Sequence, residues 1–292
     1  MQGIIIINKP TGFTSQDVVS KTKKILNVKK AGHTGTLDPM ATGVLPVLLG
    51  NYTKLSKYLI EHNKTYVATI KLGEKKDTGD QEGNTVFEKS IDESGLNIEN
   101  VENILKSFLG KQKQIPPMYS AIKVDGKKLY EYARQGIEVK VEPRDIEIYN
   151  IKLLNINIEN AEIEFEVSCS KGTYIRVLCE NIAEKLDTVG YMSSLQRTLV
   201  DKFTIENAIN FETLEENKNN VDFLNKNIFT MEKVFESLKQ IKLNSRKLEL
   251  FLNGVMLTFE KEDGLYNVYD EQNNYIGTGI IKNNLLKRDI IL

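Results

Sequence analysis

The sequence predicts an α+β protein with a large N-terminal part and a smaller, β-rich C-terminal part. Up to about residue 235, apolar runs and alternating patterns typical of strands are mixed with segments of helical spacing. Beyond about Ile241 the pattern changes to one helix followed by short strands, with Asn and Gly turns between them. A chain of 292 residues that is 40% hydrophobic is long enough to bury a sizeable core.

The individual elements follow from local patterns, taken here in chain order. Residues 4–8 are predicted to form a buried strand, and residues 15–26 a helix with Ser15 as its N-cap. Alternation of apolar and polar side chains predicts three more strands, at Tyr66–Leu72, Ile146–Leu154 and Ile163–Ser168. Residues 173–186 are predicted to be helical, and the Asn-rich stretch after Phe211 is predicted to be a peripheral connection. The C-terminal strands are predicted at LYNVYD, YIGTGII and RDIIL.

The amino terminus favours neither a signal peptide nor a membrane anchor. In MQGIIIINKP only four isoleucines are consecutive, and polar residues and a proline follow at once, which is too short for either segment. We therefore expect a cytoplasmic protein that does not associate with membranes. The two cysteines, Cys169 and Cys179, form no C-x-x-C pair and the chain has only two histidines, so neither a metal site nor a disulfide framework is expected.

Charges are segregated along the chain, although the net charge is only -1. Residues 9–30 are rich in lysine, residues 77–102 are rich in acids, and residues 106–144 mix lysine and arginine with tyrosine. Cations interleaved with aromatic side chains suit phosphates and unstacked bases. A solvated helix face is the alternative, but the Pro116-Pro117 pair and Gly126 favour a loop-rich insertion.

One acidic residue, Asp38, stands out by its surroundings. In AGHTGTLDPMATGVLPVLLG it lies on a Gly/Thr/Pro-rich turn between His33 and a long apolar run. An acid in apolar surroundings is costly unless a nearby group holds its charge, so the pattern indicates a chemical role. The alternative is a helix N-cap, because Asp followed by Pro at the first helical position is common.

Four blocks of the sequence resemble one known family. The blocks NKPTGFTSQDVV, AGHTGTLDPMATGVLPVLLG, QIPPMYSAIKVDGKKLYEYARQG and SCSKGTYIRVL lie in that family's order. They resemble the bacterial tRNA pseudouridine-55 synthases of the TruB family, and the tail resembles the family's PUA-type RNA-binding domain more weakly. The resemblance implies a pseudouridine-synthase catalytic domain at residues 1–235, built on a mixed, largely antiparallel sheet flanked by helices. It also implies an RNA-clamping insertion at about 114–144 and a PUA-like domain at 241–292.

The resemblance implies that one uridine in the T-loop of tRNA is isomerised to pseudouridine. Replacing a C–N glycosidic bond by a C–C bond needs no redox partner and no nucleoside triphosphate, so no cofactor is expected, and the chain has no glycine-rich phosphate or dinucleotide motif. The reaction requires a carboxylate, a dry pocket and a way to unstack the base. By similarity Asp38 is the catalytic carboxylate. Attack on the base, attack on the sugar and removal of a sugar proton all remain open as its role.

The resemblance assigns three more residues to the reaction. Arg176 matches the family's active-site arginine and is expected to keep Asp38 ionised through two parallel hydrogen bonds, although it could equally be a surface arginine on a helix. Tyr66 matches the tyrosine that stacks on the target base, and its phenol oxygen could also handle a proton, whereas tyrosines in strands usually pack in the core. Leu195 matches the apolar residue that closes the pocket, and is otherwise a core residue.

Residues that precede Asp38 are expected to approach the RNA. His33 resembles the histidine that inserts into the T-loop where bases have flipped out, and a general-base role is the alternative. Gly32, Thr34 and Gly35 are expected to let the backbone pass close to the RNA.

The basic insertion resembles the segment that closes over the tRNA arm in this family. Lys127 and Arg134 are its candidate RNA contacts, and the segment is expected to be mobile without RNA because it has little apolar surface to bury. Within the acidic stretch, Asp80 matches a family position near the bound loop.

The expected partner is the T-arm of tRNA. No obligatory protein partner or guide RNA is expected, because the sequence after Asp38 resembles the stand-alone bacterial branch, and a monomer is the expected state. The competing class is a non-catalytic tRNA-binding or RNA-folding helper with the same fold, which has no need for Asp38, Tyr66, Arg176 and Leu195 together. A hydrolase with paired carboxylates is disfavoured, because no second acid accompanies Asp38 in its block AGHTGTLDPMATGVLPVLLG.

Overall fold

The computed structural model of the protein describes residues 1–60 and 62–291. Its strands, in chain order, are β1 (Gly3–Lys9), β2 (Ala31–His33), β3 (Thr42–Leu49), β4 (Lys64–Leu72), β5 (Glu74–Lys76), β6 (Thr85–Glu88), β7 (Gly110–Gln114), β8 (Lys123–Val124), β9 (Lys127–Lys128), β10 (Arg144–Asn157), β11 (Glu162–Cys169), β12 (Gly190–Val200), β13 (Phe203–Thr204), β14 (Ile228–Phe229), β15 (Gln240–Lys242), β16 (Leu257–Thr258), β17 (Gly264–Tyr269), β18 (Tyr275–Lys282) and β19 (Leu285–Ile291).

The helices lie between these strands. In chain order they are α1 (Ser15–Ile25), α2 (Ser56–Leu59), α3 (Ile98–Lys106), α4 (Leu129–Ala133), α5 (Ile175–Lys185), α6 (Phe211–Glu216), α7 (Val221–Asn227), α8 (Met231–Val234) and α9 (Ser245–Leu252). Short 3₁₀ turns occur at Gly50–Leu55, Glu93–Gly95 and Ile205–Asn207. Within the described part of the chain, each helix is too short or too polar to cross a membrane.

A large mixed sheet forms the framework of the N-terminal part. Its strands lie in the order β14-β1-β3-β12-β4-β11-β10-β7, with β2 added beside β3 and β13 beside β12. Each of these neighbours is antiparallel except the pair formed by β12 and β3. The predicted α+β class, the mixed and largely antiparallel sheet and the predicted strands at β1, β4, β10 and β11 are therefore confirmed.

Helix α1 is capped by Thr14 and not, as predicted, by Ser15. The Thr14 hydroxyl accepts a hydrogen bond from Asp17 N at 3.1 Å, and the Asp17 carboxylate accepts one from Thr14 N at 2.9 Å, which is a capping box. The buried Ser15 hydroxyl instead accepts from Leu37 N at 2.9 Å and donates to Leu37 O at 3.2 Å. Ser15 therefore fastens the first turn of α1 to the loop that carries Asp38.

The prediction of a peripheral connection after Phe211 is wrong. This stretch forms α6 and α7, and the side chains of Asn210 and Asn220 cap them by accepting from Thr213 N at 2.7 Å and Phe223 N at 3.1 Å. The two helices place Phe211, Leu214 and Leu224 in the apolar cluster that covers β1. The asparagines of this stretch predicted a loop because asparagine favours turns, but the same side chain also caps helices.

The segment between β7 and β10, residues 115–143, is called the insertion below. Gln114 at the end of β7 pairs with Arg144 at the start of β10, so the insertion leaves the large sheet and returns to it at one point. It contains the β8–β9 hairpin, in which Asp125 and Gly126 have φ angles of 50° and 82°. Helix α4 follows, and its Leu129 is buried.

The C-terminal strands form a second sheet in the order β15-β17-β18-β19-β16. Helix α9 packs on it through the buried Phe251. The predicted helix followed by short strands is confirmed, although Leu292 of the predicted RDIIL strand lies outside the described residues.

The second sheet is joined to the N-terminal part by polar contacts of Asp289. Asp289 accepts hydrogen bonds from Lys57 Nζ at 2.5 Å, Tyr58 OH at 2.7 Å and Thr278 Oγ1 at 3.0 Å, while its side chain is only 6% exposed. These bonds connect β18 and β19 to α2.

Candidate active site

Asp38 lies in the loop between β2 and β3, and this loop is fixed by buried hydrogen bonds. The ammonium group of Lys9 donates to Pro39 O at 2.9 Å and to Ala41 O at 2.5 Å. Lys9 is fully buried, so this lysine holds the loop and is not part of a basic RNA-binding surface. The Asp38 side chain keeps 34% of its surface exposed.

Arg176 is the cation that faces Asp38. It occupies the first turn of α5 and is 6% exposed. Its Nε lies 3.1 Å from Asp38 Oδ2, and its Nη1 lies 3.4 Å from Asp80 Oδ2. The structure thus brings together the predicted pair and adds a second acid that sequence analysis did not connect with it.

The geometry of the pair differs from the predicted two parallel hydrogen bonds. Only Nε meets Asp38, because Nη1 donates to Thr78 O at 2.9 Å and Nη2 donates to Tyr119 O at 2.8 Å. Three separate chain segments therefore hold one guanidinium group, and each takes a different nitrogen. Carbonyl acceptors on Nη1 and Nη2 fix the plane of the group, so Nε is aimed at the carboxylate.

Arg176 offsets only part of the cost of burying Asp38. Burial raises the pKa of Asp38 above its ordinary value, Arg176 and Lys9 lower it, and the negative charge of Asp80 raises it again. The net change is upward, so the cation stabilises the ionised carboxylate less than the sequence analysis predicts. A carboxylate with a raised pKa is a better proton acceptor when it is ionised.

Asp80 supports the turn that contacts Arg176. Its carboxylate accepts from Thr78 Oγ1 at 2.7 Å and from Glu82 N at 3.2 Å. Only 4% of Asp80 is exposed. Its contacts are with Arg176 and its own turn, and its burial leaves little of it for a surface that faces RNA.

Tyr66 lies on β4 beside a buried arginine that sequence analysis missed. Its register partner on β12 is Arg197, and the charge of Arg197 acts on the Tyr66 hydroxyl. Arg197 Nε donates to Val44 O at 2.8 Å and Nη2 donates to Gly35 O at 3.2 Å. Burial raises the pKa of Tyr66 and the positive charge of Arg197 opposes the rise. Arg197 therefore links the tyrosine to the loop that carries Asp38.

Leu195 lies two residues before Arg197 on β12, opposite Ala68. It is 8% exposed and belongs to the same apolar cluster as Tyr66 and Leu37. A cleft of about 230 Å³ is lined by Leu195 and by residues next to the two acids, including Met40 and Gln81. The cleft therefore lies beside the loop and the turn that carry the two acids.

The residues before Asp38 differ in how far they can reach a ligand. His33 and Gly32 on β2 are partly exposed, and burial together with the charge of Arg197 lowers the pKa of His33. Gly35 has a φ of 92°, a left-handed conformation that favours glycine. Thr34 is fully buried, so the prediction that it helps the backbone approach RNA is not supported by its position.

Lys127 and Arg134 lie on the insertion and are not among the side chains that contact Asp38. Both are exposed, and each cation lies over a tyrosine ring, with Lys127 Nζ 5.8 Å from the Tyr132 centroid and Arg134 5.3 Å from the Tyr130 centroid. The insertion thus presents cations backed by aromatic rings, which is suited to contacts with phosphates and bases.

The chemistry of the site does not depend on thiols. Both cysteines are free and buried, and burial raises the pKa of Cys169 to about 11. Across residues 1–60 and 62–291, no three His, Cys, Asp or Glu side chains are grouped so that they could hold a metal ion.

Comparisons with known proteins point to one family. The model of the TruB family pseudouridylate synthase N-terminal domain matches residues 23–175. Relatives named tRNA pseudouridine synthase B include one from Clostridium perfringens, 46% identical over 287 residues (96% of this chain and 95% of that protein), and one from Clostridium novyi, 42% identical over 298 aligned positions that span both chains fully.

Among solved structures, the crystal structure of a Cbf5-Nop10-Gar1 complex contains a chain that matches with a TM-score of 0.72 and 25% identity, over 99% of this chain and 84% of that one. The fold, the four sequence blocks and the family match agree with one another. The chain belongs to the TruB family of pseudouridylate synthases.

Proposed function

We propose that this protein isomerises uridine to pseudouridine at position 55 in the T-loop of tRNA, with Asp38 as the catalytic carboxylate and Arg176 as its partner. The observation that carries the proposal is the 3.1 Å contact between Arg176 Nε and Asp38 Oδ2, in a chain of this family. The name tRNA pseudouridine synthase B, borne by relatives up to 46% identical over nearly the whole chain, supports tRNA as the substrate.

The isomerisation breaks the bond between N1 of uracil and C1′ of the ribose, turns the base and forms a bond between C5 and C1′. The proton on C5 then leaves, and N1 takes up a proton, so the reaction is balanced without an external reagent. Asp38 is the group that starts the reaction, by attack on the base, by attack on the sugar or by removal of a sugar proton. Its raised pKa suits the proton-transfer role as well as the nucleophilic ones.

The other residues prepare the nucleotide for Asp38. A uridine must leave its stack to reach the cleft, which costs a few kcal/mol. Tyr66 stacks on the flipped base, while Leu195 closes the apolar side of the pocket. His33, neutral because its pKa is lowered, fills the space that the flipped bases leave in the loop.

Parts of the protein that lie away from Asp38 also bind the RNA in this proposal. We propose that residues 1–235 form the catalytic domain and residues 241–292 a PUA-like RNA-binding domain, with Lys127 and Arg134 contacting the T-arm from the insertion. The enzyme then acts in the cytoplasm as a monomer on tRNA, without a cofactor, an obligatory protein partner or a guide RNA.

The test uses tRNA transcripts that carry tritium at C5 of uridine. Isomerisation releases the label to water, so the protein should release one equivalent per tRNA, and a transcript with cytidine at position 55 should release none. The Asp38→Asn variant, which keeps the shape of the side chain, is the matched control. Binding of tRNA without release would instead favour the non-catalytic helper, and release from the cytidine transcript would overturn the assigned position.

A further inference from the structure

Helix α5, which carries Arg176, has no side-chain cap of its own. Its N-cap residue is Tyr174, whose side chain makes no capping hydrogen bond. The Tyr174 backbone is held by Gln114 instead, because Tyr174 N donates to Gln114 Oε1 at 2.8 Å and Gln114 Nε2 donates to Tyr174 O at 3.0 Å. The Gln114 amide therefore pairs with both the backbone N–H and the backbone carbonyl of Tyr174, the residue just before α5.

The two hydrogen bonds of Gln114 are shielded from water. It is 7% exposed, so water has little access to compete for the two hydrogen bonds. Tyr174 O also accepts from Leu178 N at 3.1 Å, which is the first hydrogen bond of the helix. The position of Gln114 is therefore coupled to the direction in which the first turn of α5 starts.

The first turn of α5 sets the geometry of the Asp38–Arg176 pair. Arg176 follows Tyr174 by two residues, and its Nε lies 3.1 Å from Asp38 Oδ2. Since hydrogen bonds weaken steeply with distance and angle, a shift of the helix start by about 1 Å would break this contact. The pair is thus sensitive to the atoms that hold the Tyr174 backbone.

Gln114 is also the last residue before the insertion. It pairs with Arg144 at the point where the insertion leaves and returns. Five residues further along, Tyr119 O accepts from Arg176 Nη2 at 2.8 Å. The start of the insertion therefore meets α5 twice, once at the Tyr174 backbone and once at the guanidinium group itself.

We propose that Gln114 is a positioning residue for the isomerisation, which sets the orientation of Arg176 towards Asp38 and couples this pair to the start of the insertion. The inference rests on the proposed function. Gln114 contacts the backbone of Tyr174 and not Asp38, so it acts through the first turn of α5. It makes the alignment of the pair depend on where the insertion stands when RNA is bound.

Two substitutions separate the hydrogen bonds from the volume of the side chain. Gln114→Met keeps a similar length and removes both bonds, whereas Gln114→Glu keeps the shape, leaves an acceptor for Tyr174 N and, when ionised, turns an oxygen without a proton towards Tyr174 O. The matched controls are Gln112→Met and Gln112→Glu. Gln112 lies two residues earlier on β7, and its side chain donates to Phe108 O at 2.6 Å.

The measurements are the rate of tritium release in a single turnover, the affinity for tRNA and the melting temperature, all on the full-length chain. Both Gln114 variants should release tritium about 10-fold to 100-fold more slowly, as expected when a reacting group is misplaced by about 1 Å. Their tRNA affinity and melting temperature should stay close to those of the Gln112 controls, because the two bonds act on the alignment of Arg176 and not on the RNA-binding surface.

Two results would overturn the inference. One is a single-turnover rate within about 3-fold of the Gln112 controls, which is less than about 1 kcal/mol in the barrier. The other is a slower rate that is accompanied by an equal loss of tRNA affinity or by melting at the assay temperature, since a purely structural role predicts that pattern. If the unmodified protein releases no tritium, the proposed function fails instead, and the two failures are thereby distinguished.

Discussion

Replacing Arg176 by lysine keeps the charge next to Asp38 but removes the planar group that three chain segments share. In the structure Nε meets Asp38 at 3.1 Å, while the other two nitrogens donate to Thr78 O at 2.9 Å and to Tyr119 O at 2.8 Å. The lysine ammonium is a single nitrogen on a flexible stem. It can approach one of these acceptors, and the others lose a buried partner.

The expected size of the effect follows from these contacts. A hydrogen bond to a charged group contributes about 1.5–3 kcal/mol, and Arg176 is 6% exposed, so water replaces it poorly. If the misaligned pair raises the activation free energy by about 3 kcal/mol, isomerisation slows by roughly 100-fold, because about 1.4 kcal/mol corresponds to a factor of ten. The affinity for tRNA should change little, because Arg176 is buried below the RNA-facing surface.

The assay is tritium release in a single turnover with enzyme in excess, together with a gel-shift measurement of tRNA binding. Arg246→Lys is the matched control, since Arg246 is exposed on α9, where the same exchange should leave the rate unchanged. A rate for Arg176→Lys within about 3-fold of the unmodified protein would refute the role given to the guanidinium. A loss of tRNA affinity as large as the loss of rate would refute it as well.

Three other variants test separate parts of the proposal. Asp38→Asn should abolish tritium release and leave tRNA binding intact, because an amide is neither a base nor a nucleophile here; residual release above about 1% of the normal rate would contradict it. Asp80→Asn removes a negative charge that raises the pKa of Asp38, so the acid limb of the pH–rate profile should move to lower pH, and an unmoved limb would count against the assignment. Lys127→Glu combined with Arg134→Glu should weaken tRNA binding and reduce the slope of log affinity against log salt by up to about 2; an unchanged slope would remove both residues from the RNA contact.

The parts of the fold that sequence analysis predicted correctly are those with a strong local pattern. Strands β4 and β11 alternate apolar and polar residues, and α5 has apolar residues at helical spacing, so each could be recognised without knowledge of its neighbours. The helices after Phe211 were missed because their caps, Asn210 and Asn220, look like loop residues until the segment is seen packed against β1. Periodicity alone could not decide between the two interpretations.

The sequence predicted which residues form the candidate site but not how their side chains are arranged. Resemblance named Asp38 and Arg176, yet it gave no sign that the guanidinium would use its remaining nitrogens on Thr78 and Tyr119. Lys9 and Arg197 carried no local signal, because their acceptors are backbone carbonyls brought near by folding. A buried cation without an acidic partner in the sequence nearby is indistinguishable from a surface one until the tertiary structure is known.

The four contacts of Arg176 have a consequence for a chain that is still being synthesised. The carboxylates and carbonyls that it needs lie at Asp38, Thr78, Asp80 and Tyr119, all of which leave the ribosome before residue 176 does. Until that arginine arrives, Asp38 lacks the cation that contacts it, and the turns that flank it have no common anchor. On the proposed function, a chain truncated before residue 176 is inactive, because it lacks the partner of Asp38.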